Sequence, residues 1–247
     1  MANRQRAEAR RKAQAKAARQ SGEGGGGGLK WVWAGLLVVV LVVVGIVVFA
    51  GGDDDGSATD GTADTSLSGL PDSQPVTVTG DPLEAYPSGA KPADDPAVGV
   101  MAPVLSGLDF QGDPIEIDAA TEGQAYMVVF LAHWCPHCND EVPRLLAWKK
   151  TGGVPDELKI VGVATAVDSN AANYPPAEWF SNKGWSWPVM VDESLGEGGA
   201  GKAAAAYGAS GWPYFVIVGA DGKVKARYSG EIEVADLQVL VDAALAS

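Results

Sequence analysis

Cys135 and Cys138 are the only cysteines in the chain, and only Pro136 and His137 stand between them in the run HWCPHC. A bridge between residues three apart closes so small a loop that it removes little entropy from the unfolded chain, which makes it a poor structural staple. It makes a good redox switch. The thiolate is the reacting species, and a position at a helix start lowers a thiol's pKa through the dipole and the unpaired N–H groups. Cys135 is therefore expected to be the low-pKa nucleophile, and Cys138, one turn further in, the resolving thiol that breaks a mixed disulfide. His137 can bring positive charge or a hydrogen bond to the Cys135 thiolate and so stabilise the reduced pair. Pro136 fixes the first turn, where no N–H is needed. His133 reads as a surface residue, and Trp134 as a shield over the cysteines or as a packing residue.

Other chemistries fit the same residues less well. His133, Cys135, His137 and Cys138 are four potential metal ligands, but zinc sites usually draw paired ligands from two segments so that four vectors converge. Here all four lie within six residues. Covalent haem needs His directly after the second cysteine, where this chain has Asn139. The run GEGGAGKA, Gly196 to Ala203, matches a phosphate loop as far as its lysine, yet Ala203 stands where a Ser or Thr would hold magnesium. It reads as a flexible loop, and no cofactor is implied.

The elements that must position the cysteines can be read around them. Tyr126 to Ala132 is an unbroken apolar run, as in a strand buried on both faces. After the motif, Val142, Leu145, Leu146 and Trp148 recur at helical spacing until Gly152-Gly153, so the cysteines sit at a strand-to-helix junction. Lys159 to Val167 reads as a second buried strand, Pro175-Pro176 opens a helix, Val189 to Val191 is a short strand, and Gly201 to Tyr207 is alanine-rich and helical. Residues 214–218 and 223–228, joined at Asp221-Gly222, form a hairpin, and an amphipathic helix follows from Val234. The order β-α-β-α-β-α-β-β-α predicts an α/β layer fold with a central mixed sheet flanked by helices. Glu141 falls on the helix face of Cys138, where a partly buried carboxylate could accept the resolving thiol's proton; a solvated helix charge is the plainer alternative. Tyr174, Trp179, Trp185, Trp187 and Trp212 could line a client groove or simply pack, with Trp212 the one expected at the site.

The rest of the chain has other compositions. Residues 1–28 carry seven Lys or Arg against Glu8 and Glu23 and end in glycines, which predicts a disordered basic tail. Trp31 to Ala50 has no charge and is long enough to cross a bilayer as a helix, so a single transmembrane helix is expected over 29–50, with Trp31 and Trp33 as interfacial anchors. The basic side lies before it and Asp53 to Asp55 after it, which puts the amino end in the cytoplasm. A cleaved signal peptide is the main rival, but the apolar run exceeds an ordinary signal core. Residues 51–98, with ten acidic residues against Lys91, read as a disordered acidic linker spanning roughly 35–40 Å. Residues 99–247 remain as one domain. Its 19 acidic residues against nine basic ones argue against a nucleic-acid partner.

YMVVFLAHWCPHCNDEVP followed by GWPYFVIVGADGKV resembles the thioredoxin-fold family over about residues 100–247, and particularly its membrane-anchored, extracytoplasmic TlpA-like branch. The resemblance implies a thiol–disulfide oxidoreductase acting on protein thiols or disulfides, with a membrane redox partner. It also implies a cis bond at Trp212-Pro213 lying against the cysteines. TlpA-like proteins often have Glu at the place of Glu141. The Pro-His pair between the cysteines is similar to that of DsbA-type oxidants, and the thioredoxin strand aspartate is replaced by Val129. Oxidation of exported proteins is the expected direction; reduction, for cytochrome maturation or disulfide repair, and a metal-carrying or binding module are the alternatives.

Overall fold

The computed structural model describes residues 67–87, 89 and 94–247. The expected tail, transmembrane helix and first part of the linker, residues 1–66, lie outside them. Among the described residues no helix is long and apolar enough to cross a membrane.

The site is built on one strand. β4 (Ala125–Leu131) is buried along its whole length, and because side chains alternate across a strand it feeds two cores. Met127, Val129 and Leu131 face one, with Val142, Leu145 and Trp148 from helix α2 (Pro136–Lys150) and Leu237 and Val241 from the last helix, α5 (Val234–Leu245). Tyr126, Val128 and Phe130 face the other, with Ala203, Ala204 and Tyr207 at helix α4 (Lys202–Ala206). A sheet covered on both faces is what an uninterrupted apolar strand requires. β4 pairs in parallel with β5 (Leu158–Ala164) and antiparallel with β7 (Tyr214–Val218); β5 continues in parallel to β6 (Val189–Val191), and β7 turns into β8 (Val224–Ser229). Helix α3 (Pro176–Asn182) joins β5 to β6. The sheet is mixed and flanked by helices, in the predicted order. β5 ends three residues short of the expected Val167, because Ala166 takes a left-handed φ of 52° and turns the chain.

The amino-terminal boundary departs from expectation. Within the linker predicted to reach residue 98, the described residues 67–87 and 94–98 belong to the folded domain. β1 (Thr77–Thr79) pairs with β2 (Val104–Leu108), which pairs in turn with β3 (Pro114–Ile117) before the short helix α1 (Ala119–Glu122). Val76, Leu83, Tyr86 and Ala97 are buried in the second core. Backbone bonds run from Leu83 N–H to the Ala206 carbonyl and from Tyr86 N–H to that of Gly208, both 2.8 Å. Asp95, with no exposed surface on its side chain, pairs with an equally buried Arg227 on β8, whose Nε lies 2.7 Å from Oδ2. The apolar residues here are too sparse to form a period, and they are held by partners distant in sequence.

α2 carries the motif and contains Pro143, which leaves the Asn139 carbonyl without its intrahelical donor. Lys183, the C-cap of α3, replaces it, its Nζ 3.1 Å from that oxygen.

Candidate active site

Cys135 is the N-cap of α2, with Pro136 following at the first helical position. A helix start leaves N–H groups without partners, and proline at N1 removes one that could not be used. The next two N–H groups are those of His137 and Cys138. Cys135 is 5% exposed and Cys138 fully buried, and both are free thiols in the structure. The Cys135 pKa is lowered from 9.0 to about 6, first by a hydrogen bond from the Cys138 thiol, which outweighs burial, then by the two backbone N–H groups and the charge of His137. Burial, and after it the bond to Cys135, pushes the Cys138 thiol far up.

Trp212-Pro213 is cis, as the resemblance implies. The Trp212 carbonyl lies 3.5 Å from Cys135 Sγ, and Pro213 is buried at the entry to β7. Trp134 is half-buried and donates Nε1–H to the Ala166 carbonyl at 2.6 Å, so it braces the loop after β5.

Glu141 is fully buried. One carboxylate oxygen accepts the Ile232 N–H at 3.1 Å and a bond from Arg144 Nη1 at 3.3 Å, while Oε1 has no protein partner among the described residues. Burial pushes its carboxyl above the usual range despite those two bonds, which makes it a candidate proton acceptor rather than a solvated charge. It bears on the electrostatics of Cys138.

His137 is exposed, and its Nδ1 lies 2.6 Å from Glu231 Oε1; this contact raises the imidazole pKa. The other Glu231 oxygen accepts from Arg144 Nη1. Sequence reasoning missed both Glu231 and Arg144. Arg144, three residues after Glu141, was legible as a helix pair. Glu231, 94 positions from His137 in the loop between β8 and α5, has no spacing relation to the motif.

His133, expected at the surface, is 1% exposed. Its Nδ1 donates to the Ala172 carbonyl at 2.9 Å and Nε2 accepts the Asp168 N–H at 3.3 Å, an arrangement for the neutral ring, and burial holds its pKa below the ordinary value. With both nitrogens bound to backbone, His133 is not available to complete a four-ligand metal set. The phosphate-loop match is occupied from within: the N–H groups of Ala203 and Ala204 at the start of α4 bond the Asp192 carboxylate at 2.7 and 3.1 Å. Of the aromatic candidates, Trp179 lies in the core and Trp185 and Trp187 pack against it, stacked edge to face through Phe180, whereas Tyr174 is exposed and bonds Asp72.

One acidic, nearly buried thiol beside a second held protonated, with a buried carboxyl at hand, can carry out thiol–disulfide exchange. The family model described as AhpC/TSA family matches residues 98–227. A DsbF homologue from Corynebacterium diphtheriae superposes with a TM-score of 0.50 at 18% identity, covering 66% of this chain and 99% of that one, which places the domain in the thioredoxin-like fold. StoA from Bacillus subtilis is 21% identical, with a TM-score of 0.45 over 59% of this chain and 99% of its own. A thioredoxin-family thiol:disulfide interchange protein from Chlorobium tepidum TLS is 26% identical, with a TM-score of 0.44 over 64% and 99%. No curated protein matches the sequence.

Proposed function

The chain belongs to the AhpC/TSA family, and on that premise we propose that it is a thiol–disulfide oxidoreductase of exported proteins, working in the oxidising direction. The observation that carries the reading is the opposite displacement of the two thiols, Cys135 down to about 6 and Cys138 up. In the oxidising cycle a client thiolate attacks Cys135 Sγ of the Cys135–Cys138 disulfide. The S–S bond breaks, a mixed disulfide forms, and Cys138 leaves as a thiolate that takes a proton, with Glu141 as the nearby carboxyl. A second client thiolate then attacks the client sulfur of the mixed disulfide, and Cys135 leaves as the stabilised thiolate. Two electrons have passed to the enzyme, and a membrane disulfide carrier must remove them. A good leaving thiolate favours this direction.

The reducing direction is the same path reversed: Cys135 attacks a client disulfide, and Cys138, losing its proton to Glu141, resolves it. The buried carboxyl favours this second reading. The reduction potential separates the two, since a value near thioredoxin's, about −270 mV, refutes the oxidant and one toward −120 mV supports it. Loss of exchange with a disulfide-linked peptide in Cys135→Ser is expected in either case; full retention refutes the enzyme class.

We place the domain outside the cytoplasm, tethered by one helix over 29–50. The support is the uncharged run Trp31 to Ala50 with basic residues before and acidic ones after it. Alkaline extraction of membranes from cells expressing the full chain should leave it in the pellet; release to the supernatant refutes the anchor.

A further inference from the structure

Glu231 bridges His137 and Arg144, and nothing in the HWCPHC motif points to it. Its Oε1 lies 2.6 Å from His137 Nδ1. Its Oε2 accepts from Arg144 Nη1, the same nitrogen that lies 3.3 Å from Glu141 Oε2. The next residue, Ile232, donates its N–H to that Glu141 oxygen at 3.1 Å, and Tyr228 Oη holds the loop through the Glu231 carbonyl at 3.0 Å. His137 is two residues from Cys135 and its charge acts on that sulfur; Glu141 acts on Cys138. One carboxylate therefore touches the modulator of Cys135 directly and reaches that of Cys138 through Arg144.

We propose that Glu231 is a positioning residue for thiol–disulfide exchange: one oxygen orients His137 and keeps it cationic beside Cys135, while the other draws Arg144 away from Glu141 beside Cys138. The proposal rests on the oxidoreductase reading above. Its physical content is a competition for one guanidinium. An Arg144 bound wholly to Glu141 would hold that carboxylate ionised and make it a weak proton acceptor. With Glu231 taking the closer contact, Glu141 keeps its affinity for a proton. At the other end, a carboxylate bonded to imidazole favours the protonated ring, and a cation next to a thiolate favours the thiolate. The other charges near this cluster are Asp140, which acts on His137 from the same helix, and Glu233, 3.9 Å from Arg144 Nε and largely exposed.

The test is the titration of Cys135 by rapid alkylation in the full chain, with Glu231→Gln, His137→Ala and the double variant, and with Glu233→Gln as the control. Alkylation reads thiolate whether or not the protein turns over, so failure of exchange activity would sink the oxidoreductase reading and leave this measurement intact. Glu231→Gln should lower the Cys135 thiolate-to-thiol ratio near pH 6 by up to about threefold, the scale of an exposed ion pair. It should have no further effect in the His137→Ala background, and Glu233→Gln should leave the titration unchanged. A Glu231→Gln shift of the same size with His137 absent, or no shift at all, overturns the proposal. In the second readout, single-turnover resolution of a Cys135 mixed disulfide should slow in Glu231→Gln and recover when Arg144→Gln is added, because Glu141 is then released. Failure to recover overturns the Arg144 arm. Gln is isosteric with Glu and Glu231 is partly exposed, and an unchanged circular dichroism spectrum checks that each variant is folded.

Discussion

The Cys135 acidity has a consequence for redox potential that can be worked out from the structure. Its thiol falls from 9.0 to about 6, and each tenfold change in acidity corresponds to about 1.4 kcal/mol. A depressed pKa stabilises the state that carries it fully above the ordinary value of about 9 and not at all well below 6. For the reduced domain that is about 1.4 kcal/mol at pH 7, about 2.7 at pH 8, and a limit of about 4 at higher pH. For a two-electron couple the first two raise the potential by about 30 and about 60 mV. Below pH 6 reduction takes up two protons and the potential falls by about 60 mV per pH unit; above it only Cys138 takes a proton, and the slope halves to about 30. Equilibration with a dithiol couple from pH 5 to 8 should show that break near 6. A single slope of about 60 mV up to pH 8 refutes the reasoning. Because the Cys138 thiol is the largest cause of the depression and His137 the smallest, Cys138→Ala should raise the Cys135 pKa, read by alkylation, more than His137→Ala does.

Glu141→Gln should make the Cys135 mixed disulfide accumulate in single-turnover quench experiments; unchanged resolution would remove Glu141 from proton transfer. The same variant carries a pH signature. Because the folded pKa of Glu141 is raised, its stabilising contribution is present below the unfolded value and lost as pH rises through the folded one, so the variant should gain urea resistance at pH 8 and none at pH 4. Asp95→Ala strands a guanidinium that has no exposed surface and should cost about 3–5 kcal/mol in urea unfolding; a cost below about 1 would show that residues 94–98 do not belong to the folded unit. A chain beginning at Leu67 should unfold like the full domain. One beginning at residue 99 should be far less stable, having lost Val76, Leu83, Tyr86 and Ala97 from the second core.

The parts of the fold that could be read in sequence are those whose signal is local. β4 and β7 are unbroken apolar runs, the β7–β8 turn carries Asp221-Gly222 with Gly222 at a φ of 77°, and α2 repeats its buried residues at helical spacing through Trp148. The cysteines, Pro136 and His137 share one turn and were equally legible. What escaped is long-range. The described residues before 99 lie in a stretch that is polar in bulk, and they are held by a few buried side chains and by Arg227, 132 positions from Asp95. His133 looks like a surface residue because its partners, Asp168 and Ala172, are backbone groups of a loop with no pattern of its own. Glu231 is one of many acidic residues, and only the closure of β8 onto the sheet brings it to α2.

The position of the buried acid also bears on how the site can be tuned. Val129 occupies the middle of β4 at 0% exposure, between Met127 and Leu131 in the same core, so an acid there would have only the sheet and its helices to answer to. Glu141 instead approaches from α2, and its protein contacts are Arg144 on the same helix and Ile232 in the loop before α5. Burial raises its proton affinity, and the bonds that offset burial come from outside the sheet, from groups beside the partly exposed Glu231 and the exposed Glu233. A substitution in that loop can move the acidity of the resolving half of the pair without disturbing β4 or the helix start that holds Cys135. The nucleophile's acidity rests mainly on Cys138 and the helix N–H groups, whereas the proton acceptor's, raised by burial in the fold, is trimmed by contacts from Arg144 and the loop before α5.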